Sequence, residues 1–242
     1  MNKILTVSIL NLVLLISPAF GDEIKVAVGL ALPPYVLSGT NSGMEMDIVK
    51  EALAYKGHTL KPIYLPFIRV VKSFESGAVD AAMTVNESSQ MTSVHYSDSH
   101  ITYQNVAVGL SENALAVENI TALGNHSVIA FQNATKYLGD EFSKMAETNK
   151  RYSERAQQDK QVAMLYSKRV DLIVLDINIY KYYKKLEKRV NTDASIEVFE
   201  VFSPTDYKVG FQNKAIRDGF NEGLKALKAN GRYREIIDSY IN

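Results

Sequence analysis

From Glu23 onward the chain alternates between two hydrophobic periods, and that alternation limits the folds open to it. A period of two fits a strand, and a period near 3.6 fits a helix. "EIKVAVGL" alternates from Ile24 and reads as a strand. "LPPY" breaks it, because Pro33 and Pro34 force an extended loop. "MEMDIVKEALAYKG" sets Ile48, Ala52 and Tyr55 at helical spacing, and Gly57 stops it. "TLKPIYL" is a short strand, "FIRVVKSFESG" a helix closed by Gly77, and "VDAAMTV" a buried strand. This β-α-β-α-β order predicts a parallel sheet with helices on its faces.

The order breaks at "ITYQNVAVGL" and restarts with "HSVIAFQ". A helix over 135–147, the segment "KRYSERA", a helix over about 159–168 and the strand "VDLIVLD" follow. A helix then runs on from Asp176, "ASIEVFEVF" and "YKVGFQ" are strands flanking the turn "SPTD", and two final helices split at Asn230-Gly231. No repeat, low-complexity tract or flexible linker interrupts this. Two α/β units of similar size predict two lobes joined by strands, with 104–110 and 196–202 as the natural crossings. A ligand site is then expected between the lobes, where strand ends meet helix starts.

The opening "MNKILTVSILNLVLLISPAFGDE" has one lysine, an apolar run and small residues before Asp22, which reads as a secretory signal peptide over 1–21. Asn11, Ser8 and Ser17 weaken the competing reading, a membrane anchor. There is no cysteine. That excludes disulfides, thiolate metal sites, cysteine nucleophiles and a lipid-modified cysteine, and export without disulfides suits a periplasm. Four N-x-S/T triplets, at Asn86, Asn119, Asn125 and Asn133, are read as chance. Lys plus Arg equals Asp plus Glu at 27 each, so the electrostatic footprint of a nucleic-acid binder is absent. The histidines at 58, 95, 100 and 126 show no metal-ligand spacing, and H-E-x-x-H and G-x-S-x-G are missing. Neither a cofactor nor a metal is expected.

Six motifs in order carry a resemblance that covers nearly all of the chain after the signal. They are "LALPPYVLSGTNSGMEMDIVKEAL", "SGAVDAAMTV", "VHYSD", "SVIAFQNAT", "VDLIVLD" and "YKVGFQNKAIRDGFNEGLKALKANGRYREIIDSYIN". Together they resemble the periplasmic solute-binding proteins of family 3. The helix "LPFIRVVKSFESG" is also similar to a "P-W-x-R" branch of that family. The resemblance implies a two-lobed α/β Venus-flytrap fold of type II. Lobe 1 would span 22–103 plus 204–242 and lobe 2 108–200, with hinge strands near 104–107 and 201–203. It implies a monomeric binding protein, not an enzyme, that closes over a small polar ligand for an ABC importer. A sensor presented to a membrane receptor is the alternative, and a dehydratase-like enzyme on the same fold is a third.

The resemblance also nominates ligand residues. Gln90 falls where the family's "T-P-E-R" segment has an arginine that clamps a ligand carboxylate. A glutamine donates without charge and without the bidentate fork. Asp176 matches the carboxylate that accepts a ligand amine, although an aspartate there also caps a helix. Gln132, Asn133 and Thr135 match the "Q-x-G-T" loop that points N–H groups at a ligand, with Ala134 in place of the glycine. Tyr35 matches a ligand-stacking aromatic, or packs in the core. Met83 and Thr84 match the strand end that meets the ligand's amine. Glu45 and Asp47 are expected to cap a helix. Arg69, just past Pro66, is either a solvated surface cation or the charge that position 90 lacks. The ligand is therefore expected to be small and polar, to bear an amine, and not to be held by an arginine–carboxylate clamp.

Overall fold

The computed structural model describes residues 21–242; the expected signal peptide lies, except for its last residue, outside the described residues. Strands β1 (Glu23–Gly29), β2 (Thr59–Leu65) and β3 (Ala81–Val85) alternate with helices α1 (Met44–Ala54) and α2 (Phe67–Glu75). They pair in parallel in the order β2-β1-β3. Residues on both faces of β1 and β3 are buried, Val26, Ala27, Val28, Ala81, Ala82 and Met83 all completely. That is the near-continuous apolar pattern of a sheet covered on two sides. Short strands β4 (His95–Tyr96) and β5 (Ile101–Tyr103) follow.

The second sheet has the order β10-β6-β9-β7-β8, from β6 (Asn105–Leu110), β7 (Val128–Phe131), β8 (Tyr152–Arg155), β9 (Leu172–Asp176) and β10 (Ile196–Phe199). Strands β7, β8 and β9 are parallel, whereas β6 runs antiparallel to β9 and to β10. Helices α3 (Ala134–Tyr137), α4 (Asp140–Thr148), α5 (Gln158–Tyr166) and α6 (Ile177–Leu186) connect and cover it. Strand β11 (Thr205–Phe211) then returns to the first sheet, antiparallel to β3, β4 and β5. Helices α7 (Lys214–Ala229) and α8 (Arg232–Ile241) finish the chain. The result is the two-sheet α/β architecture expected of a two-lobed binding fold.

Two elements differ from the sequence reading. The helix expected over 135–147 is two helices, broken at Gly139, whose φ of 86° is open to glycine and strained for other residues. The strand expected to cross over 196–202 ends at Phe199 inside the second sheet, and residues 200–204 cross without ladder bonds. Pro204 has no N–H to donate to a ladder. The outward passage is shorter still, because Gln104 alone separates β5 from β6. The Gln104 side-chain amide donates to the carbonyls of Asn105 and Phe202, both at 2.8 Å, and so ties the outward passage to the return. Among the described residues no helix is long and apolar enough to cross a membrane.

Candidate functional site

Tyr35 sits in the loop after β1, held from behind by the start of α1. The N–H groups of Glu45 and Met46 donate to its carbonyl at 3.2 and 3.3 Å. This needs Gly43, at φ 128°, because a Cβ there would lie 2.3 Å from the Tyr35 oxygen. The ring stacks on Tyr103, with centroids 3.9 Å apart, and is fully buried. Its hydroxyl reaches out of the first sheet's half of the molecule and donates to Asp176 Oδ1 at 2.7 Å.

Asp176 ends β9 and begins α6. Its Oδ1 also accepts from the N–H groups of Asn178 and Ile179, at 2.9 and 3.1 Å, so it does cap the helix. Its Oδ2 accepts from the N–H of Gln104 at 2.9 Å. One carboxylate thus binds Tyr35, the passage between the sheets and the helix start together. Asp176 is only 3% exposed. Burial pushes its carboxyl above the usual range, although all four hydrogen bonds pull it down. Burial, and then the charge of Asp176, push the Tyr35 phenol well above its usual value, so it stays a neutral donor.

Behind the stacked tyrosines lies a second buried carboxylate. Glu45 Oε2 accepts from the Tyr103 hydroxyl at 2.8 Å, and its Oε1 accepts from Thr84 at 2.8 Å and lies 2.9 Å from His100 Nε2. Glu45 and His100 are both fully buried, and His100 Nδ1 has no partner among the described residues. The expectation that Glu45 and Asp47 cap α1 is corrected: Gly43 is the N-cap with no side-chain cap bond, and Asp47 accepts from the Tyr240 hydroxyl instead. Glu45 is in the first turn, but its buried carboxylate takes the hydroxyls of Thr84 and Tyr103 instead of a first-turn N–H.

The other nominated residues are placed as follows. Met83 is fully buried, and Thr84 turns the backbone at the end of β3 with φ 61°. Gln90 closes the short turn after Asn86 in a left-handed conformation, φ 51°, and is exposed. Arg69 is exposed in the first turn of α2, and its side chain has no hydrogen-bond or ion-pair partner among the described residues. Gln132 is exposed, and Asn133 adopts φ 64° before α3. The structure therefore brings Tyr35, Thr84 and Asp176 into one polar chain with Tyr103 and Glu45, and leaves Gln90, Arg69 and Gln132 at the surface.

The N–H groups of Asn133 and Thr135 point at Glu154 of β8, which sequence reasoning missed. Asn133 N donates to Glu154 Oε2 at 2.6 Å, and Thr135 N and Oγ1 donate to Oε1, both at 3.1 Å. The Tyr152 hydroxyl adds a fourth bond at 2.9 Å. The only sequence signal was the i, i+2 spacing of Tyr152 and Glu154 on one face of a strand. Among the described residues no cluster of His, Asp or Glu has metal-binding geometry.

The model of the bacterial extracellular solute-binding proteins, family 3, matches residues 24–242. No match was found among curated proteins. Among solved structures the chain is similar to an ancestral cationic amino acid solute-binding protein, with 17% identity, TM-score 0.69, and 92% of this chain and 96% of that one covered. It is similar to an ancestral arginine-binding protein bound to arginine, with 20% identity, TM-score 0.62, and 92% and 99% covered. It is also similar to a histidine kinase sensor domain resembling periplasmic binding proteins, with 16% identity, TM-score 0.63, and 92% and 97% covered.

Proposed function

The chain belongs to the bacterial extracellular solute-binding proteins, family 3, and from that premise we propose that it captures a small polar, amine-bearing solute between two lobes and presents it to an ABC importer. The lobes are 22–103 with 204–242, and 108–200, turning about 104–107 and 201–203. The chain acts as a monomer in the periplasm after loss of residues 1–21, and its role is binding rather than turnover.

The observation that carries this reading is the Tyr35–Asp176 hydrogen bond, which joins a loop of the first sheet to the end of a strand of the second. When the lobes part, that bond breaks and Asp176 keeps its three backbone donors but loses the tyrosine. A solute ammonium then restores the missing donor with a full positive charge. Hydrogen bonds to charged groups contribute about 1.5–3 kcal/mol, and the ammonium adds the attraction of an opposite charge that the tyrosine hydroxyl lacks. A solute that bridges Asp176 to Tyr35 binds the closed form better than the open one, and that difference drives closure. Similarity to proteins described as binding cationic amino acids and arginine supports an amine.

Fluorimetric melting against a panel of amines should identify a solute that raises the Tm, and small-angle scattering with that solute should show a smaller radius of gyration. A saturating solute that leaves the radius unchanged would reject closure. A second reading, delivery of the bound form to a membrane receptor, is favoured by the likeness to a sensor domain. Permease and ATPase genes beside this one would support transport, and a receptor kinase or cyclase gene would support sensing.

A further inference from the structure

The amides of Asn133 and Thr135 converge on one point, and the chain fills that point itself. Strand β8 lies beside β7 with Glu154 opposite Ala130, two residues before Gln132. From there its carboxylate bends over the end of β7 and accepts from two N–H groups of the loop, those of Asn133 and Thr135, from the Thr135 hydroxyl, and from the Tyr152 hydroxyl of its own strand. Burial opposes the charge on Glu154, but these four bonds outweigh it and hold the carboxyl below the ordinary glutamate range. The loop therefore already holds an anion. A solute carboxylate brought to the same donors would find them used and would face a like charge.

Among the described residues no cation forms an ion pair with Glu154. The position that would clamp a carboxylate from the other lobe is Gln90, which is uncharged and exposed. Arg155, the residue after Glu154, lines a separate groove beside α5 with Lys160, Arg169 and Arg189. Arg189 is moreover paired with Asp159 and Glu187.

We propose that Glu154 is a specificity-determining residue: as a resident anion in the Gln132–Thr135 loop, it turns away solutes that carry a carboxylate at that position and leaves the cleft to amines that lack one. The inference rests on the solute-binding reading above and narrows it, from amino acids in general to primary amines without an α-carboxylate.

Two measurements test it. The first needs no solute. In an NMR acid titration of the protein, the Asn133 and Thr135 amides should shift together with one midpoint below the ordinary glutamate range, and Glu154→Gln should abolish that transition. Amides that ignore the titration in the parent protein would overturn the proposal. The second compares matched pairs by calorimetry: agmatine with L-arginine, cadaverine with L-lysine, histamine with L-histidine. In the parent protein at least one amine should bind tenfold or more tightly than its amino acid. Glu154→Ala should improve the amino acid tenfold or more, with Glu154→Gln between the two. An amino acid that outbinds its amine in the parent protein would overturn the role of Glu154 while leaving solute binding intact. If no member of any pair binds while the amide titration is normal, the amine-solute reading fails and the specificity role fails with it.

Discussion

Burial raises the Asp176 carboxyl, and its four hydrogen bonds only partly offset that. A carboxyl whose folded pKa is raised contributes stability that is present below its unfolded value and is lost as pH rises through the folded value. Asparagine caps helices about as well as aspartate and still accepts from Tyr35 through Oδ1, although its Nδ2 cannot accept from the Gln104 N–H, a loss that does not vary with pH. Asp176→Asn should therefore remove that loss, so that the variant gains on the parent as pH rises above the ordinary aspartate range. Urea melts at stepped pH read this directly, and curves that stay parallel would contradict it. Asp176→Ala should behave differently. It removes the cap, about 1 kcal/mol, and orphans the buried Tyr35 hydroxyl and Gln104 amide, roughly 1–3 kcal/mol more. Of the residues in this chain, Tyr35 and Asp176 were legible through motif position. Their bond to each other was not, because they are 141 residues apart and no local pattern relates them. Glu45 was misjudged because an acidic residue in a first turn looks like a cap until its burial is known. Glu154 left still less trace, since three of its four bonds come from the loop and helix start that follow a neighbouring strand.

The elements that frame the site carry their own tests. The start of α1 can support Tyr35 only with glycine at 43, where an added methyl would meet the Tyr35 backbone oxygen at 2.3 Å. Gly43→Ala should cost about 1–3 kcal/mol by forced displacement, and should also weaken solute binding by shifting Tyr35. A stable variant with unchanged binding would show that the loop is not held this way. At the other end of α6, Glu187 accepts from the Arg189 guanidinium and backbone, and that pairing draws its carboxyl down to about 2. A depressed pKa gives stability that is present above the unfolded value, 4.5, and is lost as pH falls through about 2. Glu187→Gln should therefore flatten the acid side of the stability curve across that window. Strands and helices at this scale were largely readable, because period and breaker residues are local signals. The break at Gly139 was missed because a single glycine inside a helical pattern does not state its φ. The end of β10 was missed because the apolar run continues past Phe199 into the crossing.

At the scale of the molecule, two sheets share few covalent links and one dense polar junction. Gln104 binds both passages through its side chain and binds Asp176 through its backbone, so hydrogen bonds link the crossing residues directly to the candidate ligand carboxylate. In the proposed mechanism, closure of the lobes and occupation of Asp176 are the same event. The two-unit rhythm of the sequence forecast this architecture, since each α/β unit needs its own covered sheet. The junction itself arises only when both sheets are built. The central claim is that a solute amine enters at Asp176 and is held there. Calorimetry of Asp176→Asn against the best-binding amine tests it most directly. The account predicts a cooperatively folded variant and an affinity lower by a hundredfold or more. A well-folded Asp176→Asn protein that binds the same amine with parental affinity would contradict it.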